Sequence, residues 1–420
     1  MKIEKKLWIT LFAFGMFAIC FSGWIFSQST VRENLFWDNT IKCETKELTD
    51  GEIKSENIAL PKDFNVPKSI LFKTTHTIAE VWLDGEKIYE YGNEEDAPSF
   101  MKSPGSCWHI VDIPEGSAGK SLEVRIIPVY DNYYGNEVSI AYGTRGDCIL
   151  KILTDSFKTL LLSCGILFAS IICLVLYLGA VRRKRRDKTE VKIEIFLNLG
   201  FFSLLIAVWT LAQCGFRQFL IPDGRTLYFV EYFSFFLFPV PFNFLLYDIC
   251  KSRYHKGALI FPTLYLVNMA GDVLLQCTGI IDIFRMLPVT HVIMVANAVY
   301  IGVLILYEAR KEGNDEAKKF QYPMCALIVF GMAEMILYYL RKFQQTSILL
   351  PIGTLLFIIM LIWIQVSQYY DQYIQKQKVI YLQKIANMDM LTEAMNRNAY
   401  EDMVKYLDEG DIKLRTTGVV

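Results

Sequence analysis

Between residues 160 and 366 the chain strings together seven apolar runs with little between them: 160–180, 195–214, 227–249, 258–275, 288–307, 322–340 and 348–366. A bilayer core about 30 Å thick takes about 20 such residues as a helix. Runs of that length span as helices because a helix satisfies its own backbone hydrogen bonds where no water is available. An eighth run, 7–26, follows Lys2, Lys5 and Lys6. It reads as a signal anchor, or alternatively a signal peptide, over residues 1–27. The expected fold class is an α-helical polytopic membrane protein, one N-terminal span plus a seven-helix bundle over 160–366. Composition agrees, with 53% hydrophobic and 21% charged residues among 420. A formal net charge of −1 excludes a nucleic-acid binder acting through a global basic field. So apolar a chain is not disordered.

Lys and Arg in short loops set the orientation. With the amino terminus inside, the inner loops 181–194, 250–257 and 308–321 carry fourteen Lys/Arg. The outer loops 215–226, 276–287 and 341–347 carry five. The run Arg182-Arg183-Lys184-Arg185-Arg186 dominates this count. Residues 28–159 are therefore expected outside the membrane and the tail after Val366 in the cytoplasm.

The outer segment 28–159 reads as all-β. Ile70–Lys73 and Ala79–Leu83 are strand-like, Asp84-Gly85 signals a type I′ hairpin, and Lys87–Tyr91 returns. Residues 121–129 and 137–142 add strands, with turn signals at Pro104-Gly105, Pro114-Glu115-Gly116 and Asp131-Asn132. This is an extracytoplasmic all-β, jelly-roll-like sandwich, similar to carbohydrate-binding modules. Trp82, Trp108, Tyr130, Tyr133 and Tyr134 offer stacking faces for a small molecule or carbohydrate; equally, they fill the core or the seam against the membrane. Cys43, Cys107 and Cys148 are an odd set, so no disulfide pair is assigned.

Within the bundle, Asp272 and Glu334 are the main intramembrane acids, each toward the outer half of its run. They line a polar cavity, pair across helices, sit near the interface or bond to a neighbouring hydroxyl. Pro239 and Pro241 are expected to kink run 227–249. His255 and His291 are isolated and no CxxC occurs, so no metal site is proposed. No internal repeat of the transporter kind is found.

Residues 367–388 turn polar without Gly or Pro and read as a helical signalling linker. Then come Ala386-Asn387-Met388-Asp389-Met390-Leu391-Thr392-Glu393-Ala394-Met395-Asn396-Arg397-Asn398-Ala399-Tyr400. Ala386, Asp389, Leu391, Thr392, Asn396, Arg397 and Tyr400 fall at the spacing that opens GGDEF domains, the diguanylate cyclases. Glu393-Ala394 departs from the family's Gly-Leu. Asn396-Arg397 would start a helix whose apolar face is Tyr400, Met403, Val404 and Leu407. Residues 389–420 thus resemble the N-terminal fragment of an α/β GGDEF domain, with Gly418-Val419-Val420 starting its first strand.

The whole arrangement resembles bacterial seven-transmembrane receptors with diverse intracellular signalling modules. That resemblance implies a multi-pass protein of the bacterial cytoplasmic membrane with a cytoplasmic C-terminus. It also implies GTP as substrate, cyclic di-GMP as product, magnesium as cofactor, and a homodimer formed through linker and cyclase domain. Nucleic acid is not an expected partner. The family's metal ligands and guanine-recognising residues would lie beyond Val420. No catalytic, cofactor-binding or metal residue is therefore assigned in this chain. The alternative is a non-enzymatic ligand receptor whose tail interacts with a partner. A histidine kinase is disfavoured because the last histidine, His291, lies in an apolar run.

Overall fold

A computed structural model describes residues 40–43, 54–59, 68–93, 97–130, 138–187, 194–340, 347–387, 396–397, 399–401 and 404–405. Run 7–26 lies outside them, as do Tyr133, Tyr134, Asp389, Leu391 and Thr392; Ala386 is described only as helix backbone. The chain divides into two units, Met1–Ile359 and Met360–Val420.

Among the described residues eight strands come first: β1 Thr40–Cys43, β2 Lys54–Ala59, β3 Lys68–Thr75, β4 Thr77–Leu83, β5 Glu86–Tyr91, β6 Ser106–Ile113, β7 Ser121–Pro128 and β8 Val138–Gly143. They form two antiparallel four-stranded sheets of order β1-β8-β3-β6 and β2-β7-β4-β5. β7 alternates buried and less buried positions along its length, the pattern of a strand with one dry face. Its Leu122, Val124 and Ile126 meet Ile70, Phe72 and Ile140 in the core between the sheets. Each such side chain contributes about 1.5–3 kcal/mol when fully buried.

β3 does not alternate: Ile70, Leu71 and Phe72 are all buried. Ile70 and Phe72 face the other sheet, while Leu71 packs with Ala141, Cys148 and Ile152, bordered by Trp108 and Ile110. The first sheet is thus dry on both faces, which explains three consecutive apolar residues. At the β4–β5 hairpin Asp84 and Gly85 take φ of 48° and 84°. Positive φ at both central residues is the type I′ geometry expected of Asp-Gly.

Eight helices follow: α1 Arg145–Asp187, α2 Glu194–Gln213, α3 Gly224–Leu237, α4 Pro239–Ile249, α5 Ile260–Cys277, α6 Ile283–Arg310, α7 Asp315–Leu340 and α8 Leu349–Asn387. Short 3₁₀ segments occupy Gly215–Phe219 and Arg253–Leu259. Counting α3 and α4 as one span, seven helices among the described residues are long and apolar enough to cross a membrane. All seven runs of the crowded region lie in them. α1 begins at Arg145, ahead of its apolar run, and carries the chain straight from β8. Its Phe168, Ile171, Val175 and Leu178 are exposed at helical spacing, which suits lipid and not water. Pro239 breaks the third span: α3 stops at Leu237, and α4 restarts with Pro239 in its first turn.

In the second unit, α8 continues to Asn387 with Val379, Ile380, Tyr381 and Leu382 exposed. Farther on, Asn396 Oδ1 accepts from Ala399 N at 3.0 Å, and Tyr400 N donates to Asn396 O at 3.0 Å. Asn396 therefore serves as a helix N-cap. Arg397 pairs with Glu401 at 2.8 Å, four residues on, and Tyr400 is exposed.

Candidate ligand cavity

Where the first sheet meets the helices, the first unit has a partly open cavity of about 230 Å³. A single water needs only about 10–15 Å³ by such a measure, so the space suits a small organic molecule. Lys73 and Trp108 of the sheet and Gly215, Arg217 and Gln218 of the 3₁₀ segment form one part of its wall. Phe202, Phe235, Phe242, Leu287, Ile301 and Leu327 form much of the rest. The arrangement is an apolar chamber with a charged end.

Local structure explains how that end is built. β6 is the last strand of its sheet, so one side of its backbone has no neighbouring strand. The Gly215–Phe219 segment lies along that side. Gln218 Oε1 accepts from Trp108 N at 3.0 Å, and Arg217 Nη2 donates to Ser106 O at 2.9 Å. Two side chains thus replace ladder bonds that a further strand would have made. Gly215 stands against Trp108 and Ser156 with no room for a Cβ.

Arg217 is only 8% exposed, and its Nη1 finds no hydrogen-bond partner among the described residues. Glu231 Oε2 lies 3.7 Å from that nitrogen, within ion-pair range but beyond hydrogen-bond reach. Glu231 Oε1 instead accepts from Gln213 Nε2 at 3.1 Å, and Gln213 Oε1 accepts from Ser347 N at 2.9 Å. Lys73 holds its ammonium over the Trp108 ring, 6.0 Å from the centroid. Burial lowers the Lys73 pKa, and the like charge of Arg217 lowers it further. Burial also pushes the Cys107 thiol up to about 11, so it is not an activated nucleophile.

The residues singled out in the sequence divide. Trp108 lines the cavity. Trp82 does not: it lies on the second sheet, its ring under the Arg125 guanidinium at 4.5 Å and its indole N–H bonded to Glu80 at 2.9 Å. Tyr130 is 2% exposed in the seam between sheet and helices, where its hydroxyl donates to Asp282 Oδ2 at 2.9 Å and its ring stacks on Phe284. Asp272 is fully buried; its Oδ2 accepts from Asn268 at 2.9 Å, and its Oδ1 has no partner among the described residues. It does not line this cavity. Glu334 does, and its Oε2 accepts from Ile348, Leu349 and Leu350 N at 3.0, 2.5 and 3.2 Å. It satisfies the first amides of α8 and sits favourably at that helix's positive end.

The charged end itself, Lys73, Arg217, Glu231 and Gln213, escaped the sequence reading. Glu231 inside run 227–249 carried the signal, because an acid in a spanning segment marks a functional position by default. Among the described residues no group of three His, Cys, Asp or Glu is placed to hold a metal. Compared with protein-family models, with curated proteins and with solved structures, the chain gives no match.

Proposed function

We propose that this chain is a membrane receptor that takes a small molecule into the cavity and passes the event along α8 to a cytoplasmic signalling module. One observation carries the reading: the cavity wall includes the groups that hold the start of α8. Gln213 bonds both Glu231 in the cavity and Ser347 N, and Glu334 accepts the first amides of that helix. A ligand that moves Glu231 or Gln213 alters how α8 is held. α8 then runs without a break to Asn387.

The outer strands are a jelly roll in this reading, supported by the sheet orders β1-β8-β3-β6 and β2-β7-β4-β5, the pattern of two interlocked Greek keys. Orientation follows the Lys/Arg bias, with the sandwich outside a bacterial cytoplasmic membrane and the tail inside. The output module is the opening of a GGDEF domain, supported by the motif from Ala386 to Tyr400 and by the Asn396 cap. In a complete domain it would join two GTP into cyclic di-GMP with magnesium. The exposed apolar residues Val379–Leu382 suit pairing of two copies through the linker.

The test is cross-linking of Tyr381→Cys in membranes. Gln213→Leu, which cuts both bonds, should change the cross-linking yield at least twofold; an unchanged yield sinks transmission through α8. Impermeant labelling of Lys102→Cys and Glu401→Cys in intact cells should mark only the former.

A further inference from the structure

Resting on the reading of this cavity as the ligand site, we infer that its ligand is a small soluble carboxylic acid with an apolar body, held by Arg217 and Lys73. The cavity wall holds two cations and two carboxylates, but each carboxylate already has one oxygen bonded elsewhere. Glu334 is occupied by three backbone amides, and Glu231 accepts from Gln213. Each still lends a negative charge, yet neither gives Arg217 Nη1 a hydrogen bond, and that nitrogen is buried in a side chain more than nine-tenths covered.

An unsatisfied buried donor is costly, and one on a charged group more so. Natural interiors rarely keep such a group without a role. The missing partner is an acceptor, and the strongest acceptor for a guanidinium is an anionic oxygen. Lys73 supplies a second cation on the same wall, directed over Trp108 and, among the described residues, in no salt bridge. An anion placed between them would relieve the like-charge opposition that Arg217 imposes on Lys73.

The remainder of the chamber fixes the body of the ligand. Phe202, Phe235, Phe242, Leu287 and Leu327 reward an aromatic or short aliphatic group, which inorganic anions lack. The volume of about 230 Å³ admits an aryl acid or a short aliphatic acid. A carboxylate satisfies both ends at once: one end needs charge and the other needs to stay dry.

The experiment uses the full chain in lipid nanodiscs, with quenching of tryptophan fluorescence as readout, since Trp108 and Trp209 line the cavity. The probes are benzoate and hexanoate, their amides benzamide and hexanamide, and also inorganic phosphate and oleate. The carboxylates should bind at least about tenfold more tightly than their amides, the ratio expected of one charge-assisted hydrogen bond. Arg217→Gln should remove that ratio. Lys73→Met should reduce it independently, which keeps the inference testable if the arginine variant does not fold. Equal binding of acids and amides overturns the carboxylate and leaves the cavity reading standing. Phosphate or oleate binding above benzoate overturns the small apolar acid. Saturation by none of the probes, charged or neutral, overturns both.

Discussion

Two buried polar clusters at opposite ends of the helices differ in one respect. At the ends away from the sheets, Glu308 is completely buried, yet both oxygens are in use. Oε1 accepts from Lys251 N at 2.9 Å and Ser252 N at 2.6 Å, and Oε2 from Asn314 Nδ2 at 2.9 Å. Asn314 Nδ2 also donates to Ile249 O at 3.0 Å, tying the turn after α4 to the turn after α6. At the sheet end, Arg217 is buried with one nitrogen unsatisfied, beside Lys73 and an open chamber. A closed cluster fixes geometry. An open one keeps a demand that something else must meet.

The comparison breaks most visibly at Glu308. Glu308→Ala strands the backbone amides of Lys251 and Ser252, the second of them buried, and we expect a loss of about 3 kcal/mol or more, read as a large fall in Tm or no folded protein. If Tm stays within a few degrees, the closed cluster is not structural.

Acid acts on a second closed set, in the sandwich. His109 accepts or donates bonds to Thr74 at 2.6 Å and Tyr89 at 2.9 Å, and His76 bonds Ser103 at 2.7 Å. Burial holds both imidazoles down to about 3, with Arg217 adding to the effect on His76. A folded pKa below the unfolded one means that the unfolded chain binds more protons between the two values. Stability therefore falls as pH drops from about 6.5 towards 3, by roughly 3 kcal/mol per histidine at pH 4. His109→Gln should flatten that dependence in a pH series of melting curves; an unaltered slope assigns the acid sensitivity elsewhere.

Gly224→Ala comes next. A Cβ there would collide with Tyr91 Oη and Pro104 O, where α3 begins against the sandwich. Overpacking of this kind costs about 1–3 kcal/mol. A melting curve as cooperative and as stable as wild type would show that the contact yields.

The smallest effect sharpens the open cluster. Lys73→Met keeps the stem and removes a charge that burial already disfavours, so stability should stay level or rise by up to about 1 kcal/mol. Because the folded Lys73 pKa is lowered, wild-type stability should rise as pH climbs from that lowered value towards 10.5, and the variant should not follow. Carboxylate binding should weaken over the same rise. The groups acting on Lys73 are Arg217, Glu231, Asp155 and Cys214, so the comparison is made with each unchanged. A fall of more than 1 kcal/mol in Lys73→Met would mean that its ammonium is already satisfied.

Much of this molecule could be read before its structure. All seven crowded runs lie in helices long enough to span because length and apolarity alone decide that. Asp84-Gly85 announced its hairpin through backbone sterics. The site was harder for a definite reason: Arg217 and Gln218 matter because they complete the edge of β6, more than a hundred residues earlier in the chain. Nothing local to GFRQF reveals that errand. Glu334 was visible as an acid in an apolar run and does line the chamber, but its hold on the amides of the following helix depends on a turn that the run itself does not show. Trp82 and Trp108 look alike in sequence, and only the pairing of their strands decides that one meets Arg125 and the other the chamber.

The borrowed closure of β6 also governs what can be cut away. A sandwich expressed without its helices would present the Ser106–Trp108 rim to solvent as an unpaired ribbon, together with the apolar back of β3. Such a fragment would find its own copies before it found any ligand, so the helices are as much a lid on the sandwich as a mooring for it.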